Sequence, residues 1–196
     1  MSTVLSVYIV RHGETPWSLS GQHTGHTDLA LTPNGRKQAL RLRPALEQTV
    51  FSQVLVSPMR RARETCELAG LGAHAQVVAE LGEWAYGAYE GRRSVDIRVD
   101  RPGWDIWRDG CPGGETPAQV AARADRVVAL LMAMTGAVML FSHGQFARVL
   151  AARWVGLGPD GGRHFALDPA TISVLDFEGR DPTRPVVCLW NAVPSA

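Results

Sequence analysis

The segment Val7–Thr15, with the sequence VYIVRHGET, constrains the fold of this chain more than any other. It opens with an apolar run rich in β-branched residues, which is typical of a buried strand, and the run ends abruptly at Arg11, His12 and Gly13. Open parallel sheets bind their ligands at the carboxyl ends of strands, where this polar group falls. A polar pair at a strand end can also be purely structural, so this segment alone leaves both interpretations open.

Two further segments repeat the arrangement. Residues 137–141 form a second continuous apolar run, and Ser142, His143 and Gly144 follow it. If the two strands are neighbours in a parallel sheet, both imidazoles reach the same sheet edge. A third apolar run, at 54–56, leads into SPMRRARET, where we expect Arg61 to enter the same crevice at a helix start. The other arginines of that run, Arg60 and Arg63, are expected on a solvated helix face.

Composition narrows the class of protein. The 196 residues fit one domain, 1–196, and the net charge of +1 gives no general attraction for nucleic acid or a membrane. The three cysteines, Cys66, Cys111 and Cys188, form no CxxC pair, which favours reduced thiols in a cytoplasmic protein. The first residues lack a signal-peptide pattern, and no apolar run reaches membrane-spanning length.

Hydrophobic periodicity predicts strands that alternate with helices. Strands are predicted at 6–10, 54–56, 77–78, 137–141, 172–177 and 186–190, and helices at 36–48, 58–71, 117–134 and 145–155. Pro44 is expected to kink the first of these helices, and residues 82–114 are the least regular region. The pattern predicts an α/β three-layer sandwich with a mostly parallel central sheet flanked by helices.

The ordered motifs identify a family. Arg-His-Gly-Glu-Thr, Ser-Pro-Met-x-Arg-Ala-x-x-Thr and the late Ser-His-Gly, spread over residues 7–157, resemble the histidine phosphatase superfamily, which includes cofactor-dependent phosphoglycerate mutases. The segments 14–18, 21–25, 83–91 and 107–111 are similar to the branch of sedoheptulose-bisphosphatase-like enzymes and broad-specificity bacterial acid phosphatases. The resemblance implies a phosphoglycerate mutase-like fold.

The resemblance also implies catalytic roles. His12 matches the residue that is transiently phosphorylated, and a neutral imidazole is chemically able to attack phosphorus. Arg11, Arg61 and His143 match the groups that surround the phosphoryl oxygens. Glu83 matches the general acid that protonates the leaving alkoxide and later activates water.

Substrate-binding residues are implied around this centre. Thr24 and Gly25 match positions where a hydroxyl and a backbone amide touch the phosphoryl group, and Gly144 follows the second histidine. Ser18 departs from the asparagine of the mutases, which weakens the mutase interpretation. Gln22 fits either a cavity lining or the surface.

No metal or other cofactor is expected. The remaining histidines lack metal-like spacing and are interpreted as surface or structural residues: His23, His26, His74 and His164.

The sequence allows two roles for each of two further groups of residues. Trp104 and Trp107 fit either an aromatic lid over the site or the packing of a loop onto the core. Three arginines fit either a second anion-binding group or a solvated surface: Arg92, Arg93 and Arg108.

The leading hypothesis is a metal-independent phosphomonoesterase for small phosphorylated metabolites, plausibly sugar phosphates. A phosphoglycerate mutase is the main rival, although the segment 91–114 is short for the insertion that helps mutases exclude water. A non-catalytic phospholigand-binding protein is the third hypothesis, and it fits poorly because all five catalytic positions are filled. A homodimer is one assembly that the sequence allows, and neither nucleic acid nor a membrane is an expected partner.

Overall fold

Six strands pair into one sheet in the computed structural model, which describes residues 4–194. Residues 1–3 and 195–196 lie outside this range. They are the ends of the predicted domain 1–196 and include part of the segment that was expected to lack a signal-peptide pattern. In chain order the strands are β1 (Ser6–Arg11), β2 (Phe51–Val56), β3 (Ala75–Val77), β4 (Ala137–Ser142), β5 (Ile172–Phe177) and β6 (Pro185–Ala192).

The sheet order is β3-β2-β4-β1-β5-β6, and its first four strands are parallel. β5 and β6 are antiparallel to their neighbours and complete the sheet on the β1 side. The predicted, mostly parallel sheet is therefore confirmed, and β1 and β4 are direct neighbours as the repeated strand-His-Gly pattern requires.

Seven α-helices connect the strands in the described part of the chain. They are α1 (Pro16–Ser20), α2 (Pro33–Leu46), α3 (Arg60–Leu68), α4 (Ser94–Asp100), α5 (Ile106–Asp109), α6 (Pro117–Met132) and α7 (Gly144–Trp154). Thr32 and Thr116 cap α2 and α6 with their side chains, and a proline occupies the first turn of each helix. Pro44 lies within α2, which continues past it to Leu46.

Helices cover both faces of the sheet. α6 and α7 pack on one face, where Val7, Ile9, Val138 and Leu140 point, and α2 and α3 pack on the other face, where Val10, Met139 and Phe141 point. This alternation along β1 and β4 follows from the two-residue period of a strand. The three-layer sandwich that was predicted is confirmed.

The irregular region 82–114 is anchored by aromatic packing. It contains α4, α5 and a turn of 3-10 helix at Gly87–Tyr89. Trp104 and Trp107 are buried in the core, and the indole N–H of Trp104 donates to the carbonyl of Gly110. Both tryptophans therefore pack the loop onto the core, and neither lies over the site as a lid. Within residues 4–194, no helix is long and apolar enough to cross a membrane.

Candidate active site

The parallel pairing of β1 and β4 brings the two histidines together. Arg11 and Ser142 are register partners at the ends of these strands, and the backbone N–H of His12 donates to the carbonyl of Ser142 at 3.0 Å. The next residues, His12 and His143, therefore lie side by side, with ring centroids 5.2 Å apart.

The His12 ring is held in one neutral tautomer. Its Nδ1 lies 2.8 Å from the carbonyl oxygen of Gly13, and because a carbonyl only accepts, Nδ1 carries the hydrogen. Nε2 then has a free lone pair, and it has no hydrogen-bond partner among residues 4–194. Burial above all, and then the positive charges of Arg61 and Arg11, lower the pKa of His12 well below its usual value.

His143 is fixed in the same way by two neighbours. Arg61 donates from Nε to Nδ1 of His143 at 3.1 Å, so the hydrogen of this neutral ring lies on Nε2 and is donated to Ser57 Oγ at 2.6 Å. Burial, followed by the charge of Arg61, lowers the pKa of His143 well below its ordinary value. His143 is thus a rigid, uncharged partner beside His12.

Arg61 is fully buried at the start of α3. Besides His143, its guanidinium donates to the backbone carbonyls of Thr24, Gly25 and Thr27 at 2.9–3.0 Å. Four of its five N–H groups are used, so one on Nη1 remains. The neighbouring arginines, Arg60 and Arg63, are exposed as expected.

Close backbone contacts hold the Arg-His-Gly loop against the surrounding helices. The amide of Gly13 donates to Thr65 Oγ1 of α3 at 2.9 Å, and Thr65 donates to the carbonyl of Arg61. A Cβ on Gly13 would lie 2.5 Å from the carbonyl oxygen of Gly35 at the start of α2, and a Cβ on Gly35 would lie 2.1 Å from that of Glu14. Only glycine permits this approach at either position.

A cavity of about 250 Å³ opens at this edge of the sheet. Seven of the ten predicted site residues line it: Arg11, His12, Ser18, Gln22, Thr24, Glu83 and Gly144. Arg61 and His143 are buried beside His12 and are not part of the lining. Gly25 does not reach the cavity either, because its amide donates to Glu90 Oε1 at 2.8 Å.

Glu83 is anchored at the amino end of α7. Its carboxylate accepts from the backbone amides of Trp84, Gln145 and Phe146 at 2.8–3.0 Å. Amides at a helix start favour a negative charge, so the position of this carboxylate is well determined. The predicted acid and the predicted nucleophile therefore share one cavity.

Arg11 lies across the start of α7, and its Nε–H is a buried donor that is not used. Its Nη1 donates to the carbonyl of Leu167, and the amide of Ala170 donates to the carbonyl of Arg11, so the loop before β5 holds it. Its Nε is buried and has no partner within the described part of the chain. A Cβ at position 144 would lie 3.2 Å from this Nε, which explains the glycine there.

Three of the predicted binding residues line the cavity but use their side chains locally. Ser18 accepts from the amide of Thr15 in a capping box, and Gln22 donates to the carbonyl of Gly91 at 2.7 Å. Thr24 donates weakly to the carbonyl of Gln22 at 3.3 Å. Their side chains form part of the cavity wall.

The cavity also contains residues that the sequence interpretation did not assign to the site: His23, Tyr86, Ser94, Gln145, Arg148 and Leu167. His23 was expected at the surface or in a structural role; it is buried, its ring stacks on Tyr86 at 4.5 Å, and burial lowers its pKa to about 4. The other three unassigned histidines are exposed, and no cluster of three or more metal-ligating side chains occurs within residues 4–194.

Two unassigned residues had a signal in the sequence. Tyr86 belongs to the same Glu-Trp-Ala-Tyr-Gly string as Glu83, and Arg148 follows Gly144 by four residues, which is one helical turn on the same face.

The arginines considered for a second anion lie elsewhere. Arg92, Arg93 and Arg108 pair with Asp100, Asp96 and Asp109, and none of them lines the cavity.

Comparison with known proteins identifies the family of this chain. Residues 7–191 match the histidine phosphatase superfamily, branch 1, and the chain belongs to this family. It is 42% identical over 174 residues to an acid phosphatase of Mycobacterium tuberculosis, with 87% of this chain and 85% of the relative covered. It is 39% identical over 183 residues to the sedoheptulose 1,7-bisphosphatase of Saccharomyces cerevisiae, with 76% and 67% covered.

A solved structure shows the same fold. The product of the open reading frame Rv3214 of Mycobacterium tuberculosis superimposes with a TM-score of 0.91 at 39% sequence identity, over 97% of this chain and 98% of that one. With the family match and the named relatives, the chain is a phosphatase.

Proposed function

We propose that this phosphatase hydrolyses phosphomonoesters of small metabolites, sugar phosphates in particular, through a covalent phosphohistidine on His12. One observation carries the proposal: the unprotonated and unpartnered Nε2 of His12 shares a cavity with Arg11 and Glu83. The cavity of about 250 Å³ is smaller than a typical drug-sized pocket, which suits a small metabolite. The relatives named for acid phosphatase and sugar-bisphosphatase activity support the same substrate class.

The proposed reaction has two displacements. In the first, Nε2 of His12 forms a bond to phosphorus while the P–O bond to the leaving group breaks, and protonated Glu83 gives its proton to the departing alkoxide. In the second, the Glu83 carboxylate takes a proton from water, the water oxygen bonds to phosphorus, and the N–P bond breaks. Inorganic phosphate leaves, and His12 returns to its neutral form.

Arg11 and Arg61 stabilise the charge that develops on the phosphoryl oxygens. Arg11 keeps unused N–H groups for this role, among them its buried and unpartnered Nε–H, and they are carried by a charged group. Arg61 and His143 act from beside His12: the neutral His143 ring packs against the His12 ring, and Arg61 adds positive charge.

The test is to trap the intermediate. We expect rapid mixing with a phosphate-labelled ester, followed by an alkaline quench that preserves phosphohistidine, to label about one site per chain. His12→Ala should abolish this label and lower phosphate release by about 10³-fold or more. A label that persists in His12→Ala, or substantial residual turnover, would contradict the assignment.

Glu83→Gln separates the acid role from binding. We expect a large loss, about 10²-fold or more, with alkyl phosphates, whose leaving groups need a proton, and a much smaller loss with an activated aryl phosphate. Equal losses on both substrates would count against Glu83 as the acid. Parallel assays with 2- and 3-phosphoglycerate measure any interconversion, which a mutase would catalyse faster than phosphate release.

A further inference from the structure

Glu83 lies on a segment of the chain that has no helix or strand of its own. A turn of 3-10 helix, Ala79–Leu81, ends just before it, and residues 83–86 belong to no regular element. Backbone N–H and C=O groups that are withdrawn from water need hydrogen-bond partners. The partners of this segment therefore show what holds the carboxyl group of Glu83 in its place.

Arg123 supplies three of those partners. It lies on α6, and only 12% of its side chain is exposed. Its guanidinium donates to the carbonyls of Glu80 at 2.8 Å, Gly82 at 2.7 Å and Glu83 at 3.2 Å. Three carbonyls within four residues of chain thus converge on one charged group.

Glu115 holds the same segment from its other end. Its two carboxylate oxygens accept from Nε and Nη2 of Arg123 at 2.9 and 2.8 Å, in a two-point ion pair. One of these oxygens also accepts from the amide of Ala85 at 2.8 Å, and the amide of Glu115 donates to the carbonyl of Ala85 at 2.8 Å. The indole N–H of Trp84 donates to the carbonyl of Glu115 at 2.9 Å. Together Arg123 and Glu115 bind the chain on both sides of the Glu83 side chain.

These contacts use all five N–H groups of Arg123. No donor is left for a ligand, and within residues 4–194 the lining of the cavity does not include Arg123. Its charged carbon also lies 4.3 Å from the centroid of the Phe146 ring, and the amide of Phe146 donates to the carboxylate of Glu83 at 2.8 Å. One guanidinium therefore contacts both the backbone that carries Glu83 and a residue that binds its carboxylate.

We propose that Arg123 and Glu115 are positioning residues for Glu83, and that they fix its carboxyl group for proton transfer to the leaving group of the substrate. This inference rests on the proposed function, because it takes Glu83 as the proton donor. A shift of about 1 Å in a reacting group can cost about 10²-fold in rate. Loosening of the segment should therefore impair the reactions that need the acid more than those that do not.

The test compares two substrates that differ in their need for an acid. Glycerol 3-phosphate releases an alkoxide, which needs a proton, whereas 4-nitrophenyl phosphate has an activated aryl leaving group that does not. The readout is the ratio of kcat/KM for the first substrate to kcat/KM for the second. We expect Arg123→Gln to lower this ratio by about 10- to 100-fold, in the same direction as Glu83→Gln.

Two conservative variants grade the effect. Arg123→Lys keeps a charge opposite Glu115, but a single nitrogen cannot replace the planar fork that reaches three carbonyls, so its ratio should lie between those of the wild type and Arg123→Gln. Glu115→Gln puts an amide nitrogen, which cannot accept, against Arg123 or Ala85, so its ratio should fall as well. If Arg123→Gln does not fold, these two variants decide the question.

Arg153→Gln is the matched control. Arg153 forms the same kind of two-point pair, with the carboxylate oxygens of Asp125 on α6 at 2.7 and 3.2 Å. In the described part of the chain its hydrogen bonds do not reach residues 80–85. Its loss should leave the ratio unchanged, and circular dichroism verifies that each variant is folded under the assay conditions.

A double variant makes the test specific for Glu83. If Arg123 acts through Glu83, adding Arg123→Gln to Glu83→Gln should not lower the ratio any further. Multiplied losses in the double variant would overturn the inference, and so would an Arg123→Gln ratio equal to that of the wild type, even with both rates reduced. Equal losses on both substrates in Glu83→Gln itself would instead overturn the proposed acid role.

Discussion

Two independent features keep His12 in the neutral form that the proposed attack on phosphorus requires. The carbonyl of Gly13 accepts a hydrogen bond from Nδ1–H. The buried, positively charged surroundings oppose protonation of Nε2. A histidine in water has a pKa near 6.5, so it is half protonated at pH 6.5. The buried ring of His12 therefore stays neutral at a lower pH than an exposed histidine.

This environment predicts the acid side of the pH profile. The neutral, reactive fraction of an unperturbed histidine falls about tenfold between pH 7.5 and 5.5. We expect kcat/KM to fall by clearly less than tenfold from this cause, because the lowered pKa of His12 moves its protonation to lower pH. The measurement is phosphate release, corrected for the second ionisation of the ester near pH 6, with circular dichroism as the control for folding. A tenfold loss would show that His12 titrates normally.

At the scale of elements, two glycines decide how closely α2 approaches the catalytic loop. Gly13 belongs to the Arg-His-Gly motif, whereas Gly35 is remote in sequence and part of no catalytic motif. Both face backbone atoms that cannot rotate away.

Gly35→Ala should therefore destabilise the protein. Helix propensity favours alanine by about 1 kcal/mol, but a Cβ 2.1 Å from the carbonyl oxygen of Glu14 forces the helix or the loop to move. We expect a net loss of about 1–3 kcal/mol in the free energy of unfolding, measured by urea denaturation, together with reduced turnover. Arg41→Ala, at an exposed position on α2, is the matched control. A Gly35→Ala chain as stable as the control would refute the close contact.

Three of the four parallel strands were predictable because each of them has a local signature. β1, β2 and β4 are short apolar runs that end in the motif residues, and their shared edge follows from parallel pairing. The direction of β5 and β6 has no such signature, since an apolar strand can pair in the parallel or the antiparallel direction. It is set by long-range packing.

Arg148 escaped prediction for a related reason. Its place in the cavity wall depends on α7 starting at Gly144 and on Trp107 and Gly162 approaching from distant segments. The spacing from Gly144 indicates the helix face, but no local string of residues encodes the contacts with Trp107 and Gly162. The short helices α4 and α5 were missed because aromatic burial, and not periodicity, holds the region 82–114 together.

For the whole molecule, burial of neutral histidines links stability to pH. His12, His23 and His143 are buried, and the pKa of each is lowered, to about 4 for His23. Below pH 6.5 the unfolded chain takes up protons at these residues and the folded chain does not. Stability is therefore complete above about pH 6.5 and falls as the pH drops toward the lowered values.

We expect the free energy of unfolding to decrease by about 1.4 kcal/mol per pH unit for each such histidine once the pH is well below 6.5. Urea denaturation at pH 7.5, 6.5 and 5.5 measures the slope. His23→Gln should lower this slope by about 1.4 kcal/mol per pH unit, which corresponds to one proton. His164→Gln, at an exposed position, should not change the slope. A stability that does not change between pH 7.5 and 5.5 would contradict the burial of uncharged imidazoles.

The sheet order has a consequence for synthesis of the chain on the ribosome. β1 leads into His12 and is synthesised before the other described strands, yet its two neighbours, β4 and β5, begin at Ala137 and Ile172. At 5–20 residues per second, roughly 6 to 25 s pass before translation reaches the first of these partners. During that interval an apolar strand with unpaired edges is exposed in the nascent chain, and holding it apart from other chains is a task for chaperones.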